Sequence, residues 1–122
     1  MANNNIVLEK SFAFAVRIVK LCKYLREDKH ERVLSRQILR SGTSIGANVE
    51  EAVGAQSHKD FISKVSIAHK ENRETNYWLR LLHETEYLSD TQFNSLHSDC
   101  LELQNIISAI LITAKKREKQ KK

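Results

Sequence analysis

The stretch Leu34-Ser35-Arg36-Gln37-Ile38-Leu39-Arg40-Ser41-Gly42-Thr43-Ser44-Ile45-Gly46-Ala47-Asn48-Val49-Glu50-Glu51-Ala52 decides the fold. Leu34, Ile38, Ser41, Ile45, Val49 and Ala52 recur at spacings of four and three. At 100° per residue that spacing gathers them on one face, as the seam of a helical bundle requires. The predicted helix spans about Arg32 to Ala55. Gly42 and Gly46 share one of its flanks, and a glycine costs about 1 kcal/mol in a helix interior. Close approach of a neighbouring helix is the expected compensation, with a kink near Ser41–Gly46 as the alternative.

Working outward, the same periodicity sorts the rest of the chain into three more amphipathic segments. The first runs from about Glu9 to Glu27. Phe12, Phe14, Val16, Ile18, Val19, Leu21, Cys22 and Leu25, with Ala13 and Ala15, cover an arc of roughly 200°, where a surface helix needs about 100°. So wide a stripe predicts burial on two sides, against the rest of the bundle and against a second molecule.

Ser57 followed by Asp60 opens a third helix in the manner of a capping box. Phe61, Val65, Ala68, Asn72, Thr75, Leu79 and Leu82 form its inner line. Ser89 with Gln92 opens a fourth, whose inward face reads Phe93, Leu96, Cys100, Leu103, Ile107, Ile110 and Ala114. The chain has no proline and only three glycines in 122 residues, far too few for a turn-rich β architecture. The prediction is an all-α, antiparallel up-down-up-down four-helix bundle forming one domain over 1–114. A basic tail over 115–122 is expected to fray or stay solvated.

Charge is unevenly placed. Residues 1–40 hold 9 Lys/Arg against 4 Asp/Glu, residues 41–114 hold 5 against 10, and residues 115–122 hold 6 against 1. A dipolar body with a cationic tail attracts polyanions, and equally lets one subunit's basic half meet another's acidic half. The opening residues lack a basic segment followed by an apolar run, and Ile106–Ala114 is too short to span a bilayer. No membrane partner is expected, and the cytoplasm is the default compartment. Cys22 and Cys100 sit among apolar neighbours and read as buried structural thiols.

Catalytic patterns do not assemble. A di-metal carboxylate site in a four-helix bundle uses Glu-x-x-His motifs on two helices, and the single instance, Glu27 to His30, falls in a connection. His97-Ser98-Asp99-Cys100 are adjacent in sequence, so on a helix they diverge. Gly42-Thr43-Ser44-Ile45-Gly46 lacks the Gly-Lys-Ser/Thr ending and the preceding strand of a phosphate loop. The expectation is a protein without catalytic residues, metal or cofactor.

Two polar lines beside the core are more informative. Gln37, Ser44, Asn48 and Glu51 share a flank of the second helix, with Arg40 just beyond. Glu71, Glu74 and Trp78 share a flank of the third. Facing each other, they form a partly buried network that fixes register more than it adds stability; facing water, they are ordinary solvated surfaces. For nucleic acid, Arg17, Lys20, Lys23, Arg26, Lys29, Arg32 and Arg36, with Lys115, Lys116 and Arg117 in the tail, are the available phosphate contacts. Residue pattern alone favours a plain solvated face there, and nothing supports base-specific reading.

The block Gln37 to Ala52 resembles the signature of the four-helix-bundle family named for 23S rRNA intervening sequences. A second block agrees: Lys59-Asp60-Phe61-Ile62, Ala68, Glu71, Glu74 and Thr75-Asn76-Tyr77-Trp78-Leu79. The likeness covers about residues 8 to 115, with Glu50 and Ala52 off-pattern. It implies an antiparallel bundle that assembles as a ring-shaped homopentamer. A related group, the accessory proteins of diversity-generating retroelements, implies nucleic acid and a reverse transcriptase or other protein as partners. The family's shared polar positions fall on Gln37, Arg40, Ser41, Ser44, Asn48, Glu51, Glu71, Glu74 and Trp78. The leading expectation is thus an oligomeric, sequence-tolerant nucleic-acid-binding accessory protein, with a protein-interaction scaffold as the alternative.

Overall fold

The computed structural model describes residues 2–120, with side chains from Asn5 onward. Four helices account for nearly all of it: α1 (Ala2–Glu27), α2 (Leu34–Val53), α3 (His58–Glu84) and α4 (Asp90–Gln120). Each packs on its neighbour in sequence and α1 closes on α4, giving an all-α up-down bundle. Among the described residues no close backbone approach joins α1 to α3 or α2 to α4. Those two pairs are the diagonals of the square.

The inner lines expected from periodicity meet in one core. Phe14, Ile18 and Leu25 of α1, Ile38 and Ile45 of α2, Leu79 and Leu82 of α3, and Leu103 and Ile107 of α4 are its largest fully buried side chains. Helix α2 is continuous through both glycines, and the reason lies in α1. A Cβ at Gly42 would stand 2.8 Å from Ile18 Cγ1, and one at Gly46 would stand 3.3 Å from the Ser11 carbonyl oxygen. The missing side chains let α1 lie against α2.

Three boundaries differ from the sequence reading. Helix α1 begins near Ala2, about two turns before Glu9, because Val7 is buried and Leu8 packs against the core. Helix α2 begins at Leu34 with no side-chain cap from Val33. Glu31 supplies the cap instead, its carboxylate accepting from the backbone N–H groups of Val33, Leu34 and Ser35 at 3.1, 2.9 and 2.7 Å. A carboxylate there satisfies the orphan donors and complements the helix dipole. Helix α4 does not end near Ala114; it runs on through Lys115, Lys116 and Arg117 to Gln120, largely exposed, so the described part of the tail is solvated without fraying. The last two lysines lie outside the described residues.

The other two caps form as expected. Ser57 Oγ accepts from Asp60 N–H at 3.0 Å, and Ser89 and Gln92 make the reciprocal pair of a capping box at 3.1 and 2.9 Å. With neither glycine nor proline in them, the first and third turns use non-glycine residues in the left-handed region, His30 at φ 56° and Glu86 at φ 68°. That twist at His30 lets Glu31 N–H reach back to the Leu25 carbonyl at 2.8 Å.

Candidate functional site

The two polar flanks do face each other, across the α2–α3 joint. Arg40 Nη1 donates to Glu71 Oε2 at 3.1 Å, and Arg40 Nη2 pairs with the Glu74 carboxylate. Trp78 Nε1 donates to that same Glu74 oxygen at 3.4 Å. Glu71 is nearly buried, with 9% of its side chain exposed, while Arg40 is 51% exposed. The guanidinium therefore screens an inward carboxylate from the outside. One turn along α3 from Glu71, the Thr75 hydroxyl lies 2.9 Å from that of Ser41, both fully buried, and Thr75 donates to the Glu71 carbonyl.

The remaining members of that line behave differently. Ser44 donates to the Arg40 carbonyl at 2.6 Å and Asn48 donates to the Ser44 carbonyl at 2.8 Å, so both bond along their own helix. Glu51 turns outward to Lys64 at 3.4 Å, and Gln37 is exposed. What converges is Arg40, Ser41, Glu71, Glu74, Thr75 and Trp78. Thr75 stands in the sequence only as a seam residue, and its hydroxyl, opposite the Ser41 that the family resemblance includes among its polar positions, is the signal for it.

The basic residues fall into three groups. Arg17 is committed internally, bonding Asp99 and the Ser95 hydroxyl on α4, the latter at 2.8 Å. Lys20, Lys23, Arg26, Lys29, Arg32 and Arg36 are all exposed around the α1–α2 turn, and none has a salt-bridge partner among the described residues. Lys29 instead lies over the Tyr24 ring at 6.0 Å. Lys115, Lys116 and Arg117 crown the opposite end of the bundle. At a rise of about 1.5 Å per residue, a 31-residue α4 holds the two groups on the order of 40 Å apart. Sequence placed them in one set, but one protomer does not bring them together.

Helix α1 has an outer face unlike the others. Phe12, Val16 and Val19, at spacings of four and three, are 67%, 40% and 38% exposed. The bundle buries Phe14, Ile18, Leu21, Cys22 and Leu25 and leaves this second stripe uncovered. Both thiols are internal: burial pushes Cys22 up to about 11 and Cys100 up to about 12, so neither is a ready nucleophile.

Between α3 and α4 the chemistry is imidazole. His58 Nε2 is 2.8 Å from the Ala114 carbonyl, His69 Nε2 is 2.9 Å from Ser108 Oγ, and His97 Nε2 is 3.1 Å from Asn76 Oδ1. His83 sits 2.7 Å from Asp90 and stacks on Phe93, which stacks on His97. Burial first, and nearby cations second (Arg73 and Lys115 for His69, Arg80 for His97), hold the pKa of both rings below the ordinary histidine value. Among the described residues no group of three or more His, Cys, Asp or Glu stands close enough to hold a metal ion. Among the described residues no helix is long and apolar enough to cross a membrane.

Fold and site together define a small four-helix bundle with a charged α2–α3 seam and a cationic surface at each end. The chain belongs to the family described as 23S rRNA-intervening sequence protein, whose model matches residues 3–109. The terminal basic turns lie beyond that match. A crystal structure of a protein of unknown function from the S23 ribosomal protein family of Bacteroides thetaiotaomicron is 51% identical, with a TM-score of 0.88, covering 89% of this chain and 97% of that one. No curated protein matches the chain.

Proposed function

We propose that this protein is a non-enzymatic homo-oligomer that binds nucleic acid through its phosphate backbone, as an accessory to another macromolecule. The observation that carries the reading is the exposed crown of Lys20, Lys23, Arg26, Lys29, Arg32 and Arg36, which lacks salt-bridge partners among the described residues. Much of the acidic excess of residues 41–114 is meanwhile paired: Glu71 and Glu74 with Arg40, Glu51 with Lys64, Asp99 with Arg17, and Glu102 with Lys10. Clustered cations that repel one another gain by releasing counterions from a polyanion.

Self-association is supported by the Phe12–Val16–Val19 stripe, an apolar face of the kind that buries against a partner. Several copies gathered along it multiply weak phosphate contacts into avidity. The homopentamer that the family resemblance implies belongs with this proposal, as does a reverse-transcriptase or other protein partner. The reading predicts affinity that is tolerant of sequence and falls steeply between low and moderate salt.

Sizing with mass measurement, followed by titration of structured RNA and duplex DNA at two salt concentrations, tests it. Phe12→Asp with Val16→Asp is expected to disperse the oligomer and weaken binding together. An intact oligomer that binds neither nucleic acid at low salt refutes the nucleic-acid role. That outcome, with no nucleic acid co-purifying, selects the interaction-scaffold alternative.

A further inference from the structure

Four of the five lysines and arginines between residues 41 and 114 share one outward stripe of α3. They are Lys59, Lys70, Arg73 and Arg80, and the fifth, Lys64, is paired with Glu51. Lys70, Arg73, Tyr77 and Arg80 follow at steps of three, four and three, within about 80° of arc, and all four are exposed. The three cations make no salt bridge among the described residues. The net acidity of this part of the chain hides a cationic strip, because five of its ten carboxylates are paired with other cations.

Tyr77 interrupts the strip with an aromatic ring, 49% exposed. Its ring is braced by Trp78, centroids 5.0 Å apart and edge to face, and flanked by the Arg80 guanidinium at 5.9 Å. Arg80 is itself held, donating through Nε to Asn76 Oδ1 at 3.2 Å. With the guanidinium over the ring and Trp78 against it edge to face, the half-exposed Tyr77 is a held ring, not a loose side chain.

This strip borders a cleft of about 570 Å³ between α3 and α4, whose wall includes Arg73, Tyr77, Arg80 and Gln104. Gln104 Oε1 is buried and has no hydrogen-bond partner. An orphaned acceptor of this kind is a standing deficit, since among the described residues the other buried side-chain polar atoms are satisfied. A turn of the Gln104 amide into the cleft that it lines would let an incoming N–H group correct it.

We infer that the cleft along Lys70, Arg73, Tyr77, Arg80 and Gln104 binds single-stranded nucleic acid, with an unpaired base stacked on Tyr77. Phosphates lie along the three cations, and a base amino or imino N–H donates to Gln104 Oε1. A duplex keeps its bases inside the stack and offers Tyr77 nothing, so the cleft selects unpaired segments such as loops and ends. Because α1 and α3 are diagonal, the strip faces away from the Phe12–Val16–Val19 stripe and stays free when copies join through α1. The inference rests on the nucleic-acid reading above and adds to it a strand preference and a base-contacting residue.

The test uses the full chain, a labelled single-stranded RNA and a duplex of the same composition, compared by fluorescence anisotropy. Tyr77→Ala is expected to weaken single-strand binding by about ten-fold, since base stacking on an aromatic contributes about 1–3 kcal/mol. Duplex binding should stay unchanged, and Tyr77→Trp should restore single-strand affinity. Arg73→Gln with Arg80→Gln should weaken single-strand binding more than Lys20→Gln with Lys23→Gln. In the unmutated protein, 5-iodouridine in the single strand should cross-link to Tyr77 on irradiation. Single-strand binding that is indifferent to Tyr77→Ala, with cross-links only to residues 20–36, overturns this inference and leaves the broader proposal standing. No binding of either nucleic acid by the unmutated oligomer overturns both.

Discussion

Helix α3 meets its two neighbours through seams of opposite chemistry. Toward α2 it presents carboxylates and a hydroxyl, answered by Arg40 and Ser41. Toward α4 it presents imidazoles, and four of the five histidines bridge that joint. The first seam combines formal charge with strict geometry and fixes helix register. The second is polar but, at His69 and His97, favours the uncharged ring. One helix therefore carries a joint held by formal charge and one that titrates.

The largest expected effect is Arg40→Ala. It leaves the nearly buried Glu71 carboxylate without its cation and should cost about 2–3 kcal/mol in urea unfolding. That is below the 3–5 kcal/mol typical of a fully buried pair, because Arg40 is half exposed. A loss under about 0.5 kcal/mol would reduce this seam to an ordinary surface pair and erase the contrast.

Thr75→Val keeps the side-chain volume but removes the hydroxyl next to Ser41. The expected loss is about 1 kcal/mol. Ser41 then retains only a long 3.5 Å contact to the Ile38 carbonyl, so adding Ser41→Ala should cost little more. Strict additivity of the two substitutions would show that the pair does not act as a unit.

The α3–α4 seam should reveal itself through pH. His69 and His97 have folded-state pKa values below their unfolded values, so the unfolded chain binds their protons more readily. Their contribution to stability is intact above the unfolded value of about 6.5 and is lost as pH falls through the folded value. Thermal midpoints should drop on going from pH 7.5 to 5. The double variant His69→Gln, His97→Gln should flatten that slope. An unaltered slope in the double variant would show that the titrating joint lies elsewhere.

The smallest effect concerns the thiols. Cys100 lies in the α3–α4 seam, its Sγ 3.7 Å from the Asn72 carbonyl oxygen, and Cys22 donates to the Ser35 carbonyl between α1 and α2. With Cys100 pushed higher than Cys22, native alkylation in mild alkali should be slow at both and slower at Cys100. The reverse order would mark α3–α4 as the joint that opens first.

Much of the fold was legible before any coordinates. The 4–3 spacing in α2, the Ser57 and Ser89 caps and the inner lines of α3 and α4 are local patterns, and local patterns translate directly into helices and faces. The surplus of apolar residues on α1 was legible for the same reason. Glu31 was not, because a carboxylate that caps a helix from the preceding turn depends on the left-handed His30 that aims it. The helical continuation of the tail was not legible either, because it lacks apolar residues. Yet Lys, Arg, Glu and Gln are all good helix formers, and α4 already provided the nucleus.

The candidate surfaces were less legible. A list of basic residues holds no information on which of them are already paired, so Arg17 stood beside Lys20 until Asp99 proved to lie across from it. The α3 strip was invisible for a related reason. Summing charge over residues 41–114 cancels cations against carboxylates that the fold turns inward or pairs with other helices.

By itself, then, the chain's apolar periodicity determined four helices, their inner faces and their antiparallel order, because each rests on interactions within a few turns or on short connections. Tertiary structure alone decided which charges neutralise one another, which glycine faces which backbone, and which aromatic ring stays in water. Those outcomes depend on distances between residues far apart in sequence, and no spacing along a single helix encodes them.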